Sequence, residues 1–437
     1  MSSLLRGDLA PEMKCEPPGP KSRQFARRLA RTEAPVVNTI VGGQAAIVWQ
    51  EALGSSVLDV DGNRYIDLTA GFGAAAVGHR RPEVVEAVRK QADQLLHGLA
   101  DVYAHPTRVR LSERLSELAP MAETQVYFAV SGADAIEIAL KTAVLYTGRG
   151  AALAFDPAYH GLTLGALNVT SRPEFREPFA TALRSDVFRL PFGCPLSDLG
   201  DFLDRHPDIG AVIFEPLVGR EGVLLPPPNW LSGLERTCRK RDILLVADEI
   251  FTGFGRTGAL FLSSAEGMTV DLLCCGKALG GGLPIAAVLG RRSVLEAWDR
   301  QGEALHTSTF LANPLSCAAA LAVLDILERD DLSRRAAAFA PTIENRLRRW
   351  RSFDGVVDTR GRGLIWAVEL DSRQKAATIA REALRRGLIL LASGAGGNVL
   401  EICPPLTISE DQLMTSLAIL EDVLEKGLGS RRRGDDR

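Results

Sequence analysis

Five short apolar runs, each closed by a polar residue and most followed by helical spacing, constrain this chain most. They are "QVYFAVSG" from Gln125, "AALAFD" from Ala151, "AVIFEP" from Ala211, "ILLVADE" from Ile243 and "DLLCCGK" from Asp271. A strand wetted on one face alternates apolar and polar residues. These runs do not alternate, so both faces are buried, as in a mostly parallel sheet covered by helices. The fold class read from them is α/β.

The flanking segments add a second unit. "SSVLDVDGNRYIDL" carries apolar residues at every second position on either side of Asp61-Gly62, a hairpin pattern. Helical spacing covers residues 82–96, about 229–241, and the long "NPLSCAAALAVLDILERDDL". Beyond it, "GLIWAVEL", "RQKAATIAREALRRG" and "VLEICPPL" read as strand, helix and strand. The last helix is predicted to start at Ser409, with Gln412 completing a capping box. The expected division is a loosely ordered arm over residues 1–33, a small α+β domain from residues 34–79 and 326–428, a large domain over 80–325, and a polar tail over 429–437 that frays.

Composition excludes several function classes. A formal net charge of −3 gives no electrostatic basis for binding nucleic acid. Seven cysteines, an odd number without metal-ligand spacing, fit neither a disulfide framework nor a metal centre. Residues 1–33 lack the apolar stretch of a secretory signal, and the longest apolar run, around "LILLAS", is too short for a bilayer. The expected location is cytoplasmic, with no nucleic-acid or membrane partner.

The polar residues that close the runs are the candidates for chemistry, because ligands of open α/β sheets bind beyond the carboxyl ends of the strands. Ser131 and Gly132 in "AVSGADA" read either as a phosphate cradle at a helix start or as a plain strand–helix turn. Asp248 reads as a carboxylate aimed at a ring nitrogen or as a cap. Tyr159, in "YHG", reads as a stacking partner or a loop filler. Lys277 enters a glycine-rich turn in which Gly280 to Gly282 leave room for a bound group. A lysine desolvated there becomes a nucleophile able to form a Schiff base. Each is ambiguous alone; their order along one chain is not.

That order resembles the class III pyridoxal-phosphate-dependent aminotransferases of fold type I. The resemblance rests on "SGADA", "YHG", "EP" at Glu215-Pro216, "DEIFTGFGRTG", "GKALGGGLP", "STFLANPLSCAAALA" and "PPLTIS", spread over about residues 50 to 420. It implies pyridoxal 5'-phosphate held through Lys277 as a Schiff base. An amino group would pass from an amino acid or amine, by way of pyridoxamine phosphate, to a 2-oxo acid. It further implies Asp248 at the pyridinium nitrogen, Tyr159 and Ile250 on the ring faces, and His160 among the cofactor residues. Ser131, Gly132 and Ala133 would hold the phosphate, and Thr309 would reach the phosphate of a neighbouring subunit in a homodimer. An amino-acid epimerase, aminomutase or phospho-lyase on the same scaffold is the alternative.

Departures from the pattern are informative. Phe251 stands where many members have Gln near the phenolic oxygen, and Gly276 stands where Ser commonly precedes the lysine. In relatives similar to the ornithine and 4-aminobutyrate enzymes, a Glu in "QGE" pairs with an Arg near "PPL". Here Arg220 takes the glutamate position and Glu401 the arginine position. These two are the expected substrate-binding residues, with a direct Arg220–Glu401 pair in the resting site.

Overall fold

The computed structural model describes residues 6–34, 46–299 and 302–428. The polar tail lies outside these residues. A seven-stranded sheet is built from Thr124–Ala129 (β1), Ala151–Asp156 (β2), Val187–Pro191 (β3), Ile209–Phe214 (β4), Leu244–Asp248 (β5), Leu272–Cys275 (β6) and Ala286–Arg291 (β7). Their spatial order is β1-β7-β6-β5-β4-β2-β3. The pairs β2–β3, β2–β4, β4–β5 and β5–β6 are parallel. β7 is antiparallel to both β6 and β1. The link from β6 to β7 is a glycine turn, too short for the helical crossover a parallel strand needs, so the chain returns in the opposite direction.

Burial on both faces accounts for the missing alternation. Leu153, Phe155, Val212, Leu245 and Leu273 join the core on one side of the sheet. Their neighbours Ala154, Ile213, Val246 and Cys274 join a separate core on the other side, under the helix Gly132–Thr147. Full burial of an aliphatic or aromatic side chain is worth about 1.5–3 kcal/mol each. A polar residue is therefore tolerated only where a strand leaves the layer.

Two smaller sheets flank this one. Trp49–Leu53, Ser56–Asp59 and Arg64–Asp67 form a meander around Gly62, whose φ is 89°, and Leu388–Ile389 from the other chain end closes it in parallel. The other sheet orders Val356–Arg362, Ile365–Leu370, Val399–Ile402 and Leu391–Ser393. The arm over residues 6–34 is tied down. Asn63 Oδ1 accepts from Lys14 N and Cys15 N, Asp61 accepts from Lys21 N and Ser22 N, and Glu12 bridges Arg64. The capping box at Ser409 is half formed. Ser409 Oγ accepts from Gln412 N at 3.1 Å, but the Gln412 amide turns away to Leu9 O and Ser56 Oγ, where it is buried.

Candidate active site

The carboxyl ends of β1, β2, β4, β5 and β6 lie along one edge of the sheet, and each delivers a polar residue there. Ser131 follows β1 and caps the helix Gly132–Thr147, its Oγ accepting from Asp134 N at 3.2 Å. Asp134 accepts in return from Val130 N at 2.9 Å. The N–H groups of Gly132 and Ala133 find no acceptor among the described residues, which leaves a donor pair with a favourable helix dipole. The backbone comes close to its surroundings here: a Cβ on Gly132 would lie 3.0 Å from Ile250 Cδ1.

After β2 the chain turns through Tyr159, His160 and Gly161. Gly161 has φ 125°, and a Cβ on it would meet the Ala133 Cβ at 2.7 Å, so glycine lets this loop lie against the helix start. His160 is buried. Its Nδ1 lies 2.8 Å from Asp248 Oδ2, while Asp248 Oδ1 accepts from Ile250 N at 3.1 Å. Asp248, the last residue of β5, is itself buried, so the pair is shielded from solvent.

Lys277 sits directly after β6 at φ 42°, a strained conformation for a residue with a side chain. Its Nζ lies 4.0 Å from the centroid of the Phe251 ring. Burial pushes its pKa below the ordinary lysine value, against the pull of Asp248, Glu215 and Glu401. A sliver of its surface stays accessible, so the amine is hemmed in yet reachable. The glycines that follow do different work from that expected. Gly281, at φ 57°, lets the helix Pro314–Arg329 approach, since a Cβ would come within 2.7 Å of Val323 Cγ2.

Glu215 was legible as a motif but not as a site residue. Buried after β4, its carboxylate accepts from Tyr159 N and from Gly219 N, both at 2.9 Å, and so ties the tyrosine loop to the Arg220 loop. Its signal was the one already used for Asp248, an acid at the end of a wholly apolar run. Burial raises its pKa.

Arg220 and Glu401 do not form the expected salt bridge. The Arg220 guanidinium carbon lies 4.2 Å from the Tyr159 ring centroid and 5.3 Å from that of Phe175, so aromatic faces hold it. Glu401 lies on Val399–Ile402, with burial raising its pKa to about 7 and Lys277 the foremost of its charged neighbours. The neighbouring Glu221 is buried in an ion pair with Arg172 at 2.9 Å. Thr309 is exposed beside Phe310, without a hydrogen bond to the other candidates among the described residues. No group of three or more His, Cys, Asp or Glu among the described residues could hold a metal.

A free N–H pair at a helix start, a buried carboxylate at a strand end and a hemmed-in lysine together suit a phosphorylated, ring-nitrogen aldehyde. Comparison with known proteins agrees. The family model described as "Aminotransferase class-III" matches residues 40–424. The chain belongs to the class III aminotransferases. An acetylornithine aminotransferase of Methanothermobacter thermautotrophicus is 36% identical, over 86% of this chain and 94% of that one. An alanine/serine racemase of Pyrococcus horikoshii is 32% identical, over 96% and 93%. A PLP-bound amine transaminase from an uncultivated Pseudomonas species superposes with a TM-score of 0.84 at 29% identity, covering 90% of this chain and 98% of that one.

This aminotransferase is therefore a fold type I enzyme that uses pyridoxal phosphate. An isomerase or lyase outcome is the weaker reading, because the family model and the first relative are both aminotransferases. No helix of the described residues is long and apolar enough to cross a membrane.

Proposed function

We propose that Lys277 is the residue that holds the cofactor and moves the proton at the amine-bearing carbon of the donor. The observation that carries this reading is its position: strained, hemmed in, and on the same sheet edge as the buried Asp248–His160 pair. Bound pyridoxal phosphate supplies an electron sink for the pair left when that C–H bond breaks. A lysine whose burial favours the neutral amine is ready to accept the proton and return it. Asp248 keeps the ring nitrogen protonated, and His160 fixes which carboxylate oxygen faces it. Ser131, Gly132 and Ala133 take the phosphate, while Tyr159 and Ile250 flank the ring.

The unit that works is a homodimer with Thr309 serving the partner's phosphate. Support comes from exposed apolar residues around that segment and the 95–103 stretch, among them Phe310 at 63%, Leu99 at 58% and Tyr103 at 69% exposure. His97 packs against Phe310 with ring centroids 5.4 Å apart, joining the two segments into one surface. Seven free cysteines suit a reducing cytoplasm.

The test is spectral. Added amines should bleach the visible band of the bound cofactor, and a 2-oxo acid should restore it. Racemisation of a chiral donor without bleaching would overturn the transfer reading.

A further inference from the structure

Two charged side chains in the site are held in place without a counter-ion. Arg220 is fixed at its backbone, where its carbonyl accepts from Gly394 N at 3.1 Å, and at its guanidinium face by Tyr159 and Phe175. Stacking uses the face of the group and leaves its in-plane N–H edge for a planar anion. No acceptor for that edge exists among the described residues. Glu221, the obvious intramolecular candidate, is committed to Arg172.

Glu401 is the mirror case. Its strand is paired on both sides, to Ala367 and to Leu391, so the side chain cannot move far. Its nearest cationic influences are Lys277, Arg256 and then Arg220. Lys277 is committed to the reaction. Arg256 already donates to Leu364 O at 2.9 Å and Pro404 O at 2.5 Å. No lysine, arginine or histidine among the described residues forms a salt bridge with Glu401.

The two groups flank the reacting lysine through one continuous set of contacts. Gly219, next to Arg220, lies against the Phe251 ring, and that ring lies under Lys277 Nζ. Glu401 follows as a foremost charge on Lys277 from the far side of the chain. A donor with one carboxylate and no second amine would satisfy Arg220 and leave Glu401 unpaired. A plain diamine would do the reverse. Each leaves a desolvated charge without a partner.

We propose that Arg220 and Glu401 together read an amino donor that carries one carboxylate and, besides the amine that reacts, one further ammonium: a diamino carboxylic acid. This rests on the aminotransferase reading of the site and adds the substrate class to it. The polarity of the two contacts also excludes a dicarboxylic donor, whose second carboxylate would face Glu401.

Three probes separate the two contacts: L-lysine, 6-aminohexanoate, which lacks its α-amine, and 1,5-diaminopentane, which lacks its carboxylate. Borohydride-reduced holoenzyme cannot turn over, so calorimetry on it reads recognition alone. L-lysine should bind on the order of tenfold more tightly than either probe. Arg220→Ala should bring L-lysine to the level of 1,5-diaminopentane and leave the diamine unchanged. Glu401→Gln should bring it to the level of 6-aminohexanoate and leave that probe unchanged. Equal binding of all three probes to the wild type would overturn the proposal, and this comparison stands even if a variant fails to fold. Loss of all three affinities in parallel in both variants would overturn it as well. Failure of the aminotransferase reading would show separately, as a cofactor band in unreduced enzyme that no donor bleaches.

Discussion

The Nδ1 atom of His160 lies 2.8 Å from Oδ2 of Asp248, and both side chains are buried. One comes from the loop after β2, the other from the end of β5, with β4 between them in the sheet. Asp248 is thereby oriented from two directions, by His160 and by Ile250 N. Asp248→Asn keeps the shape and removes the charge. Its kcat should fall roughly 100-fold, the loss of one charge-assisted hydrogen bond in a desolvated site. His160→Asn should fall less, and stopped-flow measurement of cofactor bleaching would rank the two.

Lys277→Ala should abolish turnover and the absorbance of lysine-bound cofactor. Borohydride reduction of the wild type followed by peptide mapping should place the label on Lys277. A label on any other lysine would remove the central assignment.

Phe251 is accommodated by two glycines. A Cβ on Gly219 would stand 2.2 Å from its Cδ1, and a Cβ on Gly73 would stand 2.8 Å from its Cε2. Gly219→Ala should therefore cost about 1–3 kcal/mol by overpacking. Adding Phe251→Gln, which removes the ring, should recover most of that loss. Thermal unfolding of the single and double variants checks the coupling.

Stability of the cofactor-free protein should depend on pH through Glu401. Its folded pKa, raised by burial to about 7, lies above the ordinary value of 4.5. Between those values the folded state keeps a proton that the unfolded chain has released. The contribution to stability is thus complete below pH 4.5 and is lost as pH rises to about 7. The slope from one such group is at most about 1.4 kcal/mol per pH unit, and less where solvent reaches it. Glu401→Gln should flatten the curve over that window, and Glu215, also raised, should leave a residual slope. Urea melts from pH 5 to 8 would measure it.

Replacing Leu99 and Phe310 together by Glu should yield a monomer with little activity, because both belong to the apolar surface assigned to the subunit contact. Light scattering at assay concentration gives the state directly. A fully active monomer would rule out the shared site.

The sheet was legible because its strands are buried on both faces and their apolar runs are unbroken. The acids and the lysine that end those runs were legible for the same reason, since a charge is tolerated there only at the strand's exit. The direction of β7 was not, because an apolar run reads alike either way and the short link decides it. The geometry of Arg220 was hidden too. Its stacking depends on Phe175, 45 residues earlier and in no recognisable motif. Gln412 misled because two partners from distant segments, Leu9 and Ser56, outcompeted the local cap.

The one-edge arrangement of strand ends also governs how the enzyme comes into being. Ser131, Tyr159, Glu215, Asp248 and Lys277 each arrive on a different strand, and neighbouring strands are far apart in sequence. No fragment that lacks one strand can hold a partial version of the site. Closing those long loops is slow relative to forming local helices. Cofactor capture during refolding is therefore a late event, and its spectral signal would report completion of the whole sheet rather than of any one part.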